Sequence, residues 1–301
     1  MSKKIIIPGG SGYLGQYLNS YFREKGYEVI ILSRHPKGQG EVHWDGRSMG
    51  KWNDSLEDAY AVINLAGKSV NCRYTRKNKA LILSSRIEST RVLGEAIKSC
   101  TNPPKYWLNS STATIYENTP GLQPANDEKN GLIGDDFSMN IAKSWEKEFF
   151  SHTIPGTQQT ALRTAIVLGK NGGAFPIMLS LAKKGLCSAQ AGGEQWVSWI
   201  HELDFARALE FVMEKEMKGV VNICSPHFIQ NKHFNQALRE KARPLFSLVQ
   251  PKWMLQLGAV FIGTEIELIL KSRKVYPGRL LDEGFDFEID GIRDAFGELI
   301  G

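Results

Sequence analysis

Apolar residues form short, continuous runs along the first half of the chain, and segments of helical period separate these runs. Residues 5–7 make the first run, residues 27–32 the second, and residues 59–65 a third. Strands that are buried on both faces of a parallel sheet show such runs, whereas half-exposed strands alternate between apolar and polar positions. We therefore expect these segments to be buried strands of a parallel sheet.

Helical spacing of apolar residues follows the first run. Leu14, Leu18 and Phe22 lie on one side of a segment that Gly26 ends, and this segment joins the first two strands as a βαβ unit. Alternating strands and helices continue beyond it, and they predict a Rossmann-like α/β fold with a doubly wound parallel sheet. The further predicted elements are strands at 41–45, 106–111 and 160–168, a long or broken helix at 75–99, and a helix at 136–150.

The two parts of the chain are expected to have different tasks. We predict an NADP-binding domain at residues 1–170 and substrate-side segments at residues 171–301, with additional sheet strands at about 197–224. The end of the chain predicts a small α-rich lobe that covers the substrate cleft. Its predicted elements are helices at 234–239 and 253–270 and a short strand at 245–249.

The predicted helix at residues 253–270 is the most apolar late segment. It contains Gln256, Glu265 and Glu267, which are too costly at membrane depth for a spanning helix. We therefore expect a core or interface helix and no membrane partner.

A glycine-rich turn follows the first strand. Gly9, Gly12 and Gly15 have GxxGxxG spacing, which is a variant of the dinucleotide-binding fingerprint. In such a turn the pyrophosphate lies on backbone N–H groups at a helix N-terminus, and a Cβ would block the phosphates. The turn therefore predicts a dinucleotide cofactor.

The end of the second predicted strand indicates which dinucleotide is bound. An NAD-preferring fold usually carries an acidic residue there for the ribose hydroxyls. Ser33 and Arg34 stand at this point instead, followed by His35 and Lys37, and these groups suit a 2′-phosphate. We therefore expect NADP (NADPH) rather than NAD. The alternative is that Arg34 is a solvated charge in a turn.

Composition narrows the function classes. The chain has 301 residues, 42% hydrophobic and 23% charged, which suits one large globular domain or a domain with a smaller appendage. The formal charge of +5 arises from interleaved basic and acidic residues, so composition does not support nucleic-acid binding.

The four cysteines lie far apart without zinc-ligand spacing, so we expect reduced thiols and no metal. The first strand begins almost at residue 1, which leaves no room for a signal peptide and favours a cytoplasmic location.

Hydroxyl side chains cluster after the predicted strand at residues 106–111. Ser110, Thr112 and Tyr116 belong to this cluster, which extends over residues 110–116. Ligands of open α/β sheets bind at the carboxyl ends of the strands. We therefore expect this segment to contact a cofactor or substrate.

Trp199 and His201 are candidate substrate residues. They lie two positions apart on a predicted strand and so share a face. An aromatic side chain beside an imidazole suits a polar ring or a sugar. The alternative is a buried histidine with a backbone hydrogen bond beside core tryptophans. Asp204 is expected to cap the helix that follows.

Arg273, Lys274 and Arg279 are expected where the C-terminal lobe returns toward the sheet. They favour an anionic or nucleotide-linked small-molecule substrate if they face the cleft. The alternative is that they are solvated.

Several segments together resemble the extended short-chain dehydrogenase/reductases, the class that includes sugar-nucleotide epimerases and dehydratases. They are residues 9–15, 64–67, 110–116, 162–163 and 167–169. Residues 84–90, 195–201 and 273–285 further resemble an atypical NAD(P)-dependent epimerase/dehydratase branch. Members of that branch carry a C-terminal domain of unknown function and are sometimes labelled cell-division inhibitors. The resemblance covers essentially the whole chain.

The resemblance implies a catalytic hydroxyl, a tyrosine and a lysine. Family chemistry uses a Ser or Thr after the fifth strand, and then a Tyr and a Lys four residues apart on the next helix. The lysine binds the nicotinamide ribose and lowers the pKa of the tyrosine. Thr112 matches the hydroxyl position, and Lys143 is the candidate lysine. Four residues before Lys143 stands Met139. A thioether does not transfer a proton, so we expect the usual tyrosine to be replaced.

Three explanations for proton transfer stay open. In the first, Tyr116 supplies a displaced phenol; the alternative for this residue is packing or a backbone hydrogen bond. In the second, another group such as His201 transfers the proton. In the third, the protein binds NADP without ordinary alcohol chemistry. The leading expectation is an NADP-dependent oxidoreductase or epimerase-like enzyme. The alternative is an NADP-binding sensor or regulatory protein.

The resemblance and the motifs together predict a set of cofactor contacts. For Arg86 a surface salt bridge is the ordinary alternative. Relatives dimerise through helices that correspond to residues 75–99 and 136–150, so we expect a monomer or a homodimer. The predicted cofactor contacts are Gly9, Ser11, Gly12, Tyr13, Leu14, Gly15, Ser33, Arg34, Leu65, Ala66, Gly67, Arg86, Ser110, Lys143 and Val167.

Overall fold

Seven parallel strands form the central sheet of the protein, whose computed structural model describes residues 3–187, 189, 192–244 and 271–301. The strands are β1 (Lys4–Pro8), β2 (Glu28–Ser33), β3 (Glu41–His43), β4 (Ala61–Asn64), β5 (Tyr106–Thr112), β6 (Gln158–Thr164) and β11 (Gly219–Ile223). Their order in the sheet is β11-β6-β5-β4-β1-β2-β3. The chain winds outward in both directions from β1 and β4, which confirms the doubly wound fold. Ligands of such sheets bind at this switch point, outside the carboxyl ends of the strands.

Helices cover both faces of the sheet. The helix predicted at residues 75–99 is unbroken, and it begins after Thr75, whose hydroxyl accepts a hydrogen bond from the N–H of Asn78. Asp136 begins the next helix in the same way through the N–H of Met139. The helices are α1 (Tyr13–Glu24), α2 (Arg76–Ser99), α3 (Phe137–Phe150), α4 (Phe175–Lys183), α5 (Glu202–Glu214), α6 (Asn231–Ala242), α7 (Gly278–Asp282) and α8 (Ile292–Ile300).

The central sheet separates two hydrophobic cores. Ile5 and Ile7 of β1 pack with side chains of α1 and α5, whereas Ile6 packs on the other face with side chains of α2 and α3. All three isoleucines are fully buried, and each such burial contributes about 1.5–3 kcal/mol relative to exposure. Burial on both faces explains why the strands appear in the sequence as continuous apolar runs.

The strand predicted at residues 160–168 is two strands in two sheets. Thr164 ends β6 and pairs with Ile223 in the central sheet, whereas Ile166 begins β7 (Ile166–Gly169) and pairs with Trp199. The N–H of Ala165, between them, donates to the carbonyl oxygen of Ile223 at 3.0 Å. The prediction of one strand was wrong because an apolar run does not record a change of pairing partner. The second sheet has the order β10-β7-β8, with β10 at Trp199–His201 and β8 at Gly172–Gly173, and β9 (Trp196–Val197) pairs with β12 (Ile229–Gln230).

Three helices of the second half enclose a further core. Phe175 of α4 and Phe234 of α6 both pack on Phe296 of α8, and their ring centroids lie 5.7 Å and 5.1 Å from that of Phe296. The helix predicted at residues 234–239 lies within α6. The predictions at 245–249 and 253–270 fall outside the described residues. Among the described residues, no helix combines the length and the hydropathy that a membrane crossing requires.

Asp204 does not cap α5. The helix begins at Glu202, and the Nδ1 atom of His201 accepts the capping hydrogen bond from its first turn. The prediction was wrong because the helix begins three residues earlier than expected, with His201 in the capping position. The carboxylate of Asp204 is fully buried and accepts hydrogen bonds from the N–H groups of Glu288 and Ile289 at 3.0 Å and 2.8 Å. It therefore ties the C-terminal segment to α5.

Candidate functional site

Two glycines of the first turn are required by close backbone packing. Gly9 has a φ of +76°, and a Cβ there would lie 2.7 Å from the Cα of Ala66. A Cβ on Gly15 would lie 2.3 Å from the Cα of Gly10. Both approaches are too close for any side chain. These glycines therefore hold the start of α1 against β1 and against the end of β4.

Gly12 has a different role in the turn. Its φ of −78° suits any residue, and a Cβ there would meet only the carbonyl oxygen of Gly9, at 3.9 Å. Ser11 and Gly12 are exposed, and α1 begins at Tyr13 without a side-chain cap or an acidic residue in its first turn. Helix N-terminal N–H groups and the positive end of the helix dipole favour an anion. The turn therefore fits a pyrophosphate.

Ser33 and Arg34 lie at the carboxyl end of β2, beside this turn. The N–H of Gly9 donates to the carbonyl oxygen of Leu32 at 2.9 Å, which fixes the turn next to the strand end. The buried hydroxyl of Ser33 accepts a hydrogen bond from the N–H of His35 at 3.2 Å, and the side chain of Arg34 is exposed. A hydroxyl and a guanidinium at this position suit a phosphate on the ribose.

A cavity of about 410 Å³ opens at the carboxyl ends of the strands. Seven of the predicted site residues line it: Tyr13, Leu14, Leu65, Arg86, Ser110, Thr112 and Val167. The other lining residues are Val70, Tyr74, Ser111, Thr114, Ser138, Ile141, Trp145, Thr164, Ala165, Ile166, Gly173, Ala174 and Phe205. The cavity therefore extends from the first residues of α1 to the hydroxyl segment at the end of β5.

Hydroxyl groups make up much of the polar lining. The Oγ1 atom of Thr112 lies 3.0 Å from that of Thr114 and accepts a hydrogen bond from the N–H of Thr114 at 3.2 Å. Thr112 is therefore held in one orientation at the end of β5. Ser138 and Thr164 add hydroxyls from α3 and β6. Sequence reasoning did not single out these two, because no local motif marks them.

Lys143 and Met139 do not face the cavity. The side of α3 that lines it carries Ser138, Ile141 and Trp145. Lys143 points elsewhere and pairs with Asp135 at 2.5 Å, which holds the pKa of that carboxyl below its usual range. The placement of Lys143 at a nicotinamide ribose is therefore not supported, because the helix presents a different side to the cavity. Met139 is buried against Gly134 at the start of the helix.

Tyr116 is fully buried behind the cavity and does not line it. Its hydroxyl donates to the side-chain oxygen of Asn222 at 2.8 Å and accepts a hydrogen bond from Arg163 at 3.0 Å. Burial raises the pKa of Tyr116, while Arg163 opposes that rise. The hypothesis that Tyr116 carries the proton is therefore not supported, because internal partners use both functions of its hydroxyl.

A buried ion pair between Arg163 and Glu146 contacts the hydroxyl segment at Ser111. Arg163 donates to both carboxylate oxygens of Glu146, at 2.9 Å and 2.8 Å, and Ser111 donates to the same carboxylate at 2.6 Å. Burial opposes the charge of Arg163, but the contacts with Glu146 outweigh it and raise the pKa of Arg163. Through Ser111, the residue before Thr112, the pair joins α3 and β6 to β5. It therefore holds Ser111 in place in the cavity lining.

Arg86 is held in the cavity wall, and it forms no salt bridge with any residue that the structure describes. Its Nη1 atom donates to the carbonyl oxygens of Lys68 and Ile82 at 3.1 Å and 2.9 Å, and its guanidinium lies 4.9 Å from the ring of Trp145. Burial lowers the pKa of Arg86 to about 10. A Cβ on Gly67 would lie 3.2 Å from the guanidinium carbon, so the loop after β4 packs directly on this side chain.

Trp199 and His201 are core residues rather than cavity residues. Trp199 is fully buried beside Phe175, and its ring N–H donates to the carbonyl oxygen of His227 at 2.9 Å. His201 is 2% exposed; Nδ1 accepts its capping bond, and Nε2 donates to Glu298 at 2.8 Å. Their placement opposes the substrate-facing prediction and favours the alternative, a buried histidine beside a core tryptophan.

The cationic residues near the C-terminus do not line the cavity and are not simply solvated. Lys274 is buried and donates to the carbonyl oxygens of Gly121 and Gln123 at 2.7 Å and 2.8 Å. Arg279 donates to the backbone of β11 at 2.6 Å. Arg273 is 9% exposed. The residues that the structure describes contain no cluster of three potential metal ligands.

Comparisons with known proteins agree with this architecture. Residues 5–224 match the NAD dependent epimerase/dehydratase family, and residues 250–299 match a domain of unknown function (DUF1731). The human "Epimerase family protein SDR39U1" is 30% identical over 303 residues, covering 99% of both chains. The "Epimerase family protein YfhF" of Bacillus subtilis is 32% identical over 304 residues, covering 98% of this chain and 97% of that protein.

Solved structures show the same fold. The crystal structure of human SDR39U1 (isoform 2) with NADPH superposes with a TM-score of 0.87 at 30% identity, covering 99% of both chains. A nucleoside-diphosphate sugar epimerase from Corynebacterium glutamicum superposes with a TM-score of 0.80 at 22% identity, covering all of this chain and 59% of that one. The second likeness shows the fold alone.

Proposed function

The chain belongs to the NAD dependent epimerase/dehydratase family, and on that premise we propose that it binds NADPH and acts on a small carbonyl or alcohol substrate. The observation that carries the proposal is the continuity of the site. The uncapped N-terminus of α1, beside the exposed Gly12, leads into the cavity that Thr112 lines. A dinucleotide bound along this edge would have its phosphates at the turn and its reactive ring at the hydroxyl segment.

The residues at both ends of this path fit NADPH. Backbone N–H groups of residues 11–14 would hold the pyrophosphate, and Ser33 and Arg34 would hold the 2′-phosphate. Leu65, with the Ala66 and Gly67 backbone, would let the cofactor pass over the end of β4. The human relative whose structure contains NADPH shares the fold over its whole length, which supports the choice of cofactor. The full set of proposed contacts is Gly9, Ser11, Gly12, Tyr13, Leu14, Gly15, Ser33, Arg34, Leu65, Ala66, Gly67, Arg86, Ser110 and Val167.

The cofactor would supply or accept a hydride at a substrate carbon. The hydroxyl of Thr112, oriented by Thr114, would hydrogen-bond the substrate oxygen and position the carbon. Apolar side chains such as Ile141 and Val167 would exclude water from the reacting atoms. This chemistry needs a small molecule that carries a carbonyl or a secondary alcohol.

A second candidate function is an NADPH-binding sensor or regulatory protein. The observation that favours it is the side of α3 that lines the cavity, where Ser138, Ile141 and Trp145 carry no group that titrates near neutral pH. Tight binding of NADPH without turnover, together with a reproducible protein partner, would favour this candidate.

Thermal unfolding with NADPH and NADH tests the cofactor proposal. At about 100 times its dissociation constant, a ligand of the native state stabilises by about 2.7 kcal/mol. For a chain of 301 residues that raises the melting temperature by roughly 4 °C. We expect this rise with NADPH at a concentration at which NADH produces less. The absence of a rise with either dinucleotide would contradict both candidate functions.

A further inference from the structure

The proposed reaction needs a proton carrier, and the described lining of the cavity contains two phenols, Tyr13 and Tyr74. The hydroxyl of Tyr13 is buried at the back of the wall, against Gly169. A Cβ built on Gly169 would lie 1.8 Å from this hydroxyl and 2.6 Å from a carboxylate oxygen of Glu202. The hydroxyl of Tyr13 and the carboxylate of Glu202 are therefore neighbours. A neighbouring carboxylate disfavours the phenolate that proton donation leaves behind. Tyr13 is therefore poorly suited to the task.

Tyr74 occupies a different part of the wall. It lies on the segment between β4 and α2, and its neighbour Thr75 caps α2. The ring packs edge-to-face on Phe137 at a centroid distance of 5.1 Å. Phe137 directly precedes Ser138, which lines the cavity. This contact holds the phenol beside the N-terminus of α3, in the same cavity as Thr112.

Arg86 provides a fixed positive charge for this phenol. Two carbonyl oxygens and the face of Trp145 hold the guanidinium in place. Within the described part of the chain, only Nη1 donates to protein, so Nε and Nη2 keep their hydrogen-bonding capacity. The oxygen of Tyr74 interacts electrostatically with the guanidinium and favours its charged form against the effect of burial. Tyr74 and Arg86 line the same cavity, and a cation beside a phenol favours the phenolate over the neutral form.

We propose that Tyr74 is the proton donor of the reductase reaction and that Arg86 stabilises the resulting phenolate. The pair takes the place of the tyrosine and lysine that extended short-chain dehydrogenase/reductases carry on the helix after the hydroxyl segment. The inference rests on the proposed function. In the step, the carbonyl carbon gains a hydride from NADPH while Tyr74 gives its phenol proton to the carbonyl oxygen, which yields a secondary alcohol and NADP⁺. The phenolate then regains a proton from water.

Nitration by tetranitromethane tests the activated phenol without any substrate, because this reagent attacks phenolates. The wild-type protein would be treated at pH 8 without cofactor, and nitration at Tyr74 and Tyr276 would be followed by peptide mass spectrometry. Tyr276 is the internal control because it is 40% exposed. We expect Tyr74 to react several times faster than Tyr276 although it is less exposed. A rate at Tyr74 no faster than that at Tyr276 would overturn the proposal.

Substitution of the cation sharpens this test. Arg86→Met removes the charge, and Arg86→Lys keeps it. A nearby opposite charge changes the ionised fraction of a group by about tenfold or more, so we expect about tenfold slower nitration at Tyr74 in Arg86→Met, with the rate at Tyr276 unchanged. Arg86→Lys is expected to keep most of the wild-type rate at Tyr74. Equal rates at Tyr74 in the wild type and both variants would contradict the role of Arg86.

A cofactor titration and a turnover assay separate this inference from the proposed function. In Tyr74→Phe, the NADPH dissociation constant, measured by fluorescence, is expected to change less than twofold. The NADPH-dependent reduction of a probe carbonyl, 4-nitrobenzaldehyde, is expected to fall by about a hundredfold or more, as for a lost general acid. An unchanged reduction rate in Tyr74→Phe would contradict the inference. Failure of the wild type to bind NADPH would instead contradict the proposed function, whatever the nitration result.

Discussion

Replacing Gly12 and Gly9 separately by alanine separates the effect of the turn on cofactor binding from its effect on the stability of the fold. Both residues lie in the turn before α1, and both receive the same single methyl group. A Cβ on Gly12 makes only one ordinary contact, with the carbonyl oxygen of Gly9 at 3.9 Å, whereas a Cβ on Gly9 lies within 3.0 Å of three backbone atoms of Leu65 and Ala66. The two variants are therefore matched in chemistry and opposed in expected effect.

The magnitudes follow from the backbone geometry. At Gly12, φ is −78° and ψ is 173°, so alanine fits there, and the free energy of unfolding is expected to stay level or rise by about 0.4–1 kcal/mol. The new methyl group would keep the pyrophosphate from the helix N-terminus. Losing one charge-assisted hydrogen bond costs about 1.5–3 kcal/mol, which is roughly a 10- to 150-fold weaker affinity for NADPH. At Gly9, the left-handed φ costs about 1–2 kcal/mol and the overpacking about 1–3 kcal/mol.

Urea unfolding without cofactor and fluorescence titration with NADPH measure the two quantities. Gly12→Ala is expected to unfold like the wild type and to bind NADPH at least tenfold more weakly. Gly9→Ala is expected to lose about 2–5 kcal/mol of stability. Wild-type affinity for NADPH in Gly12→Ala would refute the placement of the pyrophosphate at this turn. Wild-type stability in Gly9→Ala would refute the close packing of the turn against the end of β4.

Three further predictions concern charged groups. Arg34→Ala is expected to weaken NADPH binding about tenfold or more and to leave NADH binding unchanged, because only NADPH carries the 2′-phosphate; equal losses for both dinucleotides would contradict this. Glu146→Ala leaves Arg163 buried and unpaired and is expected to lower the free energy of unfolding in urea by about 3–5 kcal/mol, and a loss below about 1 kcal/mol would contradict the role of the pair. Burial opposes the charge of Asp136, but the contacts with Lys271 and the α3 backbone lower the pKa of Asp136. The ionised Asp136 therefore stabilises the fold above the unfolded pKa of about 3.9. This stabilisation is lost as the pH falls through the folded pKa. The stability difference between wild type and Asp136→Asn should therefore shrink between pH 7 and pH 3 in urea unfolding, and a difference that does not change with pH would contradict it.

The fold and the family were predictable because local patterns encode them. The continuous runs around Ile6 and Val62 reflect burial on both faces of the sheet, and the glycine spacing reflects one turn of backbone. Both signals lie within a few neighbouring residues. The family resemblance based on these segments is confirmed by the match over residues 5–224.

The side of α3 that faces the cavity was not predictable from residue spacing alone. The family pattern predicts Lys143 as the lysine, and Met139 stands four residues before it. Successive residues of a helix are rotated by about 100°, so Lys143 lies about 200° around the helix from Ile141, which lines the cavity. Tertiary packing sets this rotation, and no short motif records it.

Buried polar networks explain the other differences. Tyr116 and His201 are chemically capable side chains, but each is engaged by partners distant in sequence, Asn222 for the first and Glu298 for the second. Such pairings become visible only when the fold brings the partners together. Tyr74 and Arg86 are a further example, because they are twelve positions apart in the sequence and line the same cavity.

A crystal structure of the protein grown with NADPH tests the central claim most directly. We expect density for the pyrophosphate on the N–H groups at the start of α1, for the 2′-phosphate beside Ser33 and Arg34, and for the nicotinamide in the cavity beside Thr112. Density for NADPH at another site, or a cavity filled by some other molecule while the turn binds no phosphate at saturating NADPH, would contradict the account.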